Sequence, residues 1–357
     1  MYSKGEQNMA KLEKKYAKFA ADKAIELLNI DSPSGFTKNA SVWVAKEFAK
    51  YGCKTTITNK GAVLIDFGGK KSKEGGVLFE AHADTLGAMV QDIKGSGRLK
   101  ITNIGGLKAT NTETENVTIY TRDGKQYEGT IQLMNPSVHV NKDAGTKERD
   151  FDTVEVVIDE LVKDDKDVRK LGIEIGDYVC PSPRAHITKS GFIKSRYLDD
   201  KLSVAILLGF AKYLFDKKIT LSRPMYGLVT VYEEVGHGGS ASIPEGITEA
   251  ISVDMGCVGD GVRCKETQVS ICAKDSGGPY DYEVTDKLVK AAQKEKADYA
   301  IDVYPYYGSD VEATLRAGYD IRHGLIGAGV FASHGYERSH IDGVYATMQV
   351  IKGYMNV

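Results

Sequence analysis

Histidines and carboxylates gather at a few places in this chain where apolar runs stop. VLFEAHAD ends on His82 and Asp84, and YGLVTVYEE ends on Glu233 and Glu234. AISVDMG carries Asp254, and GAGVFASH ends on His334. A further pair, Asp199 and Asp200, stands just before a long apolar segment. Imidazole and carboxylate oxygen without thiolate suit Zn²⁺, Co²⁺ or Mn²⁺. In hydrolytic sites two such ions lie about 3.5–4 Å apart, and a bridging carboxylate must stand between two sets of terminal ligands. An adjacent Glu-Glu pair can divide the work, one binding metal while the other stays free as general base on a metal-held water. In a His-x-Asp on a strand both side chains share a face, so Asp84 can accept from the second ring nitrogen of His82 and fix its tautomer. A solvated loop carboxylate is the ordinary reading of any one of these residues. Their joint recurrence at strand ends favours a dinuclear centre.

The elements that must position them alternate. Residues 10–29 carry apolar positions at helical spacing, and 38–50 form a second helix before Gly52. TTITN, AVLIDFG and GGVLFEAHAD read as strands. From about residue 90 to 198 helical periodicity gives way to alternating segments such as NVTIYTRDGKQYEGTIQLM, which predicts an inserted β-rich domain. The helix–strand rhythm then resumes, with helices at 200–216, TDKLVKAAQKEKA and DGVYATMQVIKGYM. The strands ending in candidate ligands are apolar almost throughout, which suits a central sheet covered on both faces. In open α/β sheets the ligand crevice lies outside the carboxyl ends of the strands, where these residues fall. The expected division is a catalytic domain in two parts, 1–90 and 191–357, around an insert at 91–190.

Composition narrows the function. Lys and Arg number 47 against 49 Asp and Glu, so the charge of −2 gives no global reason to bind nucleic acid or an anionic membrane. No run approaches the roughly 18 apolar residues that span a bilayer. The N-terminus is polar where a signal peptide would be apolar, and the five cysteines form no CxxC pair. These features predict a cytoplasmic protein with reduced thiols.

AHADTLG (81–87), LDDK (198–201), EEVGHGG (233–239), SVDMG (252–256) and ASHGYE (332–337), in that order, resemble the motifs of the tetrahedral, glutamyl-type aminopeptidases, family forty-two of the metallopeptidases. The resemblance runs from SPSG at 32–35 to the C-terminal helix. It implies an α/β metallo-aminopeptidase fold with a PDZ-like dimerisation insert, and dimers assembling into a homo-oligomer of twelve. It also implies two divalent ions per subunit, Zn or Co, and peptide substrates. By the family pattern His82 and Asp254 are terminal ligands of one metal, Glu234 and a late histidine hold the other, and Asp199 bridges. Glu233 is the general base and Asp84 orients His82. Two positions depart from the pattern: Thr85-Leu86 replaces the usual Glu-Ile, and Lys201 replaces Arg. Two late histidines compete, and His334, directly after its strand, is preferred to His340. His237 is equally a pocket or a loop residue, and Asp310 in GSD is a candidate partner for a substrate ammonium. His139, His186 and His323 read as structural or surface groups. The alternatives are a bimetallic deacylase or amidohydrolase, and a metal-binding assembly protein without catalysis. A glycosidase, which works with two free carboxylates and no metal, fits the residue set poorly.

Overall fold

The computed structural model describes residues 11–357; the start of the expected 10–29 helix and most of the polar N-terminal stretch lie outside the described residues. The first helix, Lys14–Leu28, buries Tyr16, Ala17, Ala20, Ala21, Ala24, Leu27 and Leu28, one stripe at helical spacing. It packs on the long helix Leu198–Lys217, apolar nearly all round and buried from Leu198 through Ala211. Asp199 and Asp200 depart from helical dihedrals and are joined by a cis peptide, so the regular helix begins after them.

A twelve-stranded mixed sheet forms the frame. Its centre is parallel, with strands in the order Met225–Thr230, Gly76–His82, Ile247–Val253 and Arg322–Phe331. Every residue of Gly76–His82 is buried. Val77, Phe79 and Ala81 enter one core and Leu78 enters another. Alternation along one strand therefore feeds two hydrophobic layers, because helices cover both faces.

The register aligns the ends that matter. Thr230 pairs with His82, and Val253 pairs with Ile326, so the first three strands stop at about one level while Arg322–Phe331 runs five residues further. Beyond that level the backbone differs from simple strand endings. Glu233–Val235 is a 3-10 turn past the strand, and His334 lies in a loop between Phe331 and the return strand Glu337–His340.

The insert is a closed six-stranded barrel. Its first strand, Gly87–Ile93, pairs with its last, Tyr178–Pro181, so the chain enters and leaves at neighbouring points. Closure removes free strand edges. The barrel also carries a helix, Asp165–Leu171, where only strand signals were expected. Asp164 caps it by accepting the Asp167 N–H at 3.0 Å, and the helix stops at Gly172. Seven residues are too few for periodicity to reveal, and the caps are the readable signal. Among the described residues no helix is long and apolar enough to cross a membrane.

Candidate metal centre

His82 stands at the end of its strand, 1% exposed. Its Nδ1 lies 2.9 Å from the backbone carbonyl of Asp84, which fixes that nitrogen as donor and leaves the Nε2 lone pair facing the site. Nε2 is 3.1 Å from Asp199 Oδ1 and 3.7 Å from Glu233 Oε2. Asp84 differs from expectation in one respect. Its carboxylate is 3.6 Å from the ring and binds elsewhere, accepting Ser34 Oγ at 2.5 Å and the N–H groups of Glu233 and Glu234 at 3.1 and 3.4 Å.

Asp254 completes a triplet. One ligand atom each from His82, Asp199 and Asp254 lies within 4.8 Å of the others. Asp254 follows the strand Ile247–Val253, and its N–H donates to the Ile326 carbonyl at 3.0 Å. Gly327 permits that close approach, since a Cβ there would lie 1.6 Å from the Asp254 carbonyl oxygen.

Asp199 faces two ways. Oδ1 meets His82, while Oδ2 is 3.6 Å from His334 Nε2. His334 Nε2 is also 3.6 Å from Glu234 Oε2. Thus His82, Asp199, Asp254, Glu233, Glu234 and His334 are brought together. His340 is not. It caps the last helix, accepting the Asp342 N–H at 3.0 Å, and packs on Phe192. His237 stacks on Tyr232 with ring centroids 5.0 Å apart. Asp310 is buried on the cleft wall, bonded to Thr230 Oγ1 and to the Gly239 N–H. His186 is exposed near Tyr336, and His323 lies against Tyr280.

Glu337 is a residue that sequence reasoning missed. Its two oxygens accept the N–H of His334 at 3.0 Å and of Asp199 at 3.1 Å, so one buried carboxylate aligns two candidate ligands. The available signal was an acid three residues after His334 inside the ASHGYE motif. Asp200, named with Asp199 but given no role of its own, accepts the His82 N–H at 3.2 Å.

Crowding shifts Glu233, Glu234, Asp254 and His82 towards protonation, whereas at Asp199 burial opposes but His82 holds the carboxyl below its usual range. Burial, then the neighbouring acids Asp254, Asp310 and Asp199, push the Glu233 carboxyl well above its usual range, against the pull of His82. Burial and then Asp199 raise Glu234 likewise. Burial and Asp199 lift Asp254 to about 7. Burial disfavours charge on His82, but its bond to Asp199 and the surrounding carboxylates win, and its pKa stands well above normal. Carboxylates outnumber the imidazoles, and Glu234 Oε1 is buried without a hydrogen-bond partner. Such a set fits divalent cations, whose charge offsets the mutual repulsion. The cluster opens into a cleft of about 450 Å³ lined by Met255, Tyr306, Tyr307, Ser309 and Arg316 among others.

Comparison with known proteins agrees with this chemistry. YhfE of Bacillus subtilis, named as a candidate aminopeptidase, is 44% identical over 330 residues, covering 92% of this chain and 95% of that protein. The aminopeptidase APDkam598 of the archaeon Desulfurococcus kamchatkensis superposes with a TM-score of 0.84 at 22% identity, covering 95% of each chain. The TET1 peptidase of Pyrococcus horikoshii, which can assemble into a tetrahedron or a large octahedral shell, matches with a TM-score of 0.81 at 20% identity over 94% of this chain and 98% of that one. A family model described as M42 glutamyl aminopeptidase matches residues 61–350. With these matches around a buried, carboxylate-rich centre, the chain belongs to the M42 aminopeptidase family and is a metal-using peptide hydrolase.

Proposed function

We propose that the protein is a bimetallic aminopeptidase that removes N-terminal residues from peptides. The observation that carries this reading is the two-faced placement of Asp199, one oxygen towards His82 and the other towards His334. In it His82, Asp254 and Asp199 hold one ion, and Asp199, Glu234 and His334 hold the second, with Zn²⁺ or Co²⁺ the suitable metals. When bound, the ions polarise a carbonyl and acidify a water. Glu233 takes the proton of the attacking water and delivers it to the leaving amine. Asp84 supports this by gripping the backbone of the Glu233 turn.

The proposal extends to an acidic first residue. Arg316, 63% exposed at its side chain, paired with Glu312 at 3.4 Å and standing on the cleft wall, supports it as a cation within reach of an acidic side chain. The likeness to glutamyl aminopeptidases points the same way. The test is hydrolysis of a panel of aminoacyl-anilides with added Zn²⁺, Co²⁺ or Mn²⁺ and with chelator. Metal-dependent turnover, fastest on Glu or Asp, is expected. No turnover on any member with metal bound would overturn the enzyme reading in favour of a metal-binding assembly protein.

The likeness to TET1 also supports a homo-oligomer; we propose that it is built from dimers through the barrel, reaches twelve subunits and works in the cytoplasm. The insert, expected at 91–190 between catalytic parts 1–90 and 191–357, then has its barrel strands from Gly87 to Pro181. A solution mass of one subunit, 38.9 kDa, by light scattering would refute it.

A further inference from the structure

The barrel contributes no ligand, yet it touches the loop that carries His334. Three contacts make the connection. Gly106, which follows the barrel strand Leu99–Ile104, lies flat against the His334 ring: a Cβ there would stand 2.5 Å from Nδ1 and 2.8 Å from Cε1. Asn111, a few residues on, donates from Nδ2 to the His334 carbonyl at 2.9 Å. The Asn111 carbonyl in turn accepts from Arg196 Nη2 at 2.6 Å.

Arg196 is buried and binds a second barrel residue, the Glu115 carboxylate, which also receives Arg184 Nε at 2.8 Å. The Arg184 guanidinium covers the Tyr336 ring at 4.4 Å, and the Tyr336 hydroxyl donates to the Arg184 carbonyl at 3.0 Å. The His334 loop is therefore held from its barrel side by Gly106 and Asn111, and from its far end by the Glu115–arginine group.

The loop needs such support. Ala332 and His334 both have left-handed backbone, at φ 59° and 61°. Each costs about 1–2 kcal/mol in a residue with a side chain, and persists only where the surroundings over-determine it. His334 is also the most exposed of the candidate ligands, its side chain 41% accessible, so packing alone does not fix the ring.

We infer that the inserted barrel is a working part of the metal centre, with Asn111 and Gly106 as positioning residues that hold His334 on the second metal. The inference rests on His334 being a ligand of that metal. Asn111 fixes the carbonyl and so the backbone; Gly106 fixes the plane of the imidazole. Loss of either leaves Nε2 free to turn from Asp199 and Glu234.

The experiment is competition between the full-length protein and a chelator for Zn²⁺, read as the affinities of the first and second equivalents. Asn111→Ala, Asn111→Asp (near-isosteric, without the Nδ2 donor) and Gly106→Ala should each weaken the second equivalent about 10–100-fold, the range for groups that orient a ligand, and leave the first unchanged. Tyr127→Phe removes a bond to the Leu171 carbonyl within the barrel, away from His334, and should leave both affinities unchanged. In a His334→Ala background, adding Asn111→Ala should change nothing further, because the interaction acts through His334. If His334→Ala retains both equivalents at wild-type affinity, the ligand assignment itself fails. If His334→Ala loses one equivalent while Asn111→Ala, Asn111→Asp and Gly106→Ala all keep wild-type affinity, the inference alone is overturned. A fall of both equivalents together, matched by Tyr127→Phe, would mean general loosening of the barrel and would likewise overturn it.

Discussion

Asp84 holds Glu233 by its backbone: one carboxylate oxygen accepts the Glu233 N–H at 3.1 Å, while the other takes Ser34 Oγ. The acid of the His-x-Asp pair thus sets the position of the proposed base as well as lying beside the imidazole. Asp84→Asn presents an amide N–H where a lone pair now accepts. We expect kcat to fall about 10–100-fold, the range for an outer-shell partner, with both metals retained. Elemental analysis together with steady-state kinetics decides it. Loss of the metal bound by His82 would show that Asp84 acts mainly on the imidazole.

Glu233→Gln removes proton acceptance while keeping shape. General base catalysis contributes about 10²–10⁴-fold, so kcat should fall at least that far with fold and metal content intact. A variant that keeps a tenth of wild-type kcat would take Glu233 out of the mechanism.

The two late histidines separate cleanly. His334→Ala should lower metal content from two ions towards one, because Asp199 and Glu234 lose their imidazole partner. His340→Ala should leave stoichiometry alone and cost about 1 kcal/mol through the lost helix cap, measured by urea titration. The reverse pattern of metal contents would make His340 the ligand.

At the other end of the strand that leads to Asp254, Glu249 is 1% exposed and bound to Arg223, Lys287, Arg322 and Tyr354 at 2.7–2.8 Å. Burial opposes its charge, but Lys287, Tyr354 and Arg223 hold its pKa at about 2 against an ordinary 4.5. A carboxyl depressed in the folded state stabilises above its unfolded pKa and loses that contribution as pH falls through the folded one. Glu249→Gln should therefore cost on the order of 3 kcal/mol at neutral pH, the exposed lysine and arginine contributing least. The gap to wild type should narrow between about pH 4.5 and pH 2. An equal gap at pH 7 and pH 2.5 would mean that charge is not the source.

Much of this was legible because it lies on periodic elements. The apolar runs before His82, Asp254 and His334 announce strands, and parallel pairing puts the first two ends at about one level, while the third strand runs on to Phe331 before its loop brings His334 back. The His334 and His340 pair could be ranked because the apolar run GAGVFAS leads to His334, whereas no apolar run precedes His340. Glu337 was not legible, since its work is to accept backbone N–H groups from residues remote in sequence, and nothing local marks that. The same holds for Asp84, whose nearest partner to the ring is its own carbonyl. Asn111 against His334 joins positions more than 200 residues apart across a domain boundary, and no spacing rule reaches that far.

The insertion of the barrel between His82 and Asp199 has a consequence for how the chain is made. The Gly76–His82 strand pairs only with Met225–Thr230 and Ile247–Val253, both encoded after the barrel. At about 5–20 residues per second, a strand that is buried throughout in the fold leaves the ribosome roughly 7–30 s before its first neighbour exists. The barrel, whose strands all pair with one another, can close during that wait. Nascent chains stalled between residues 190 and 220 should then hold a protease-resistant barrel beside an unpaired hydrophobic strand, a species that invites chaperone capture.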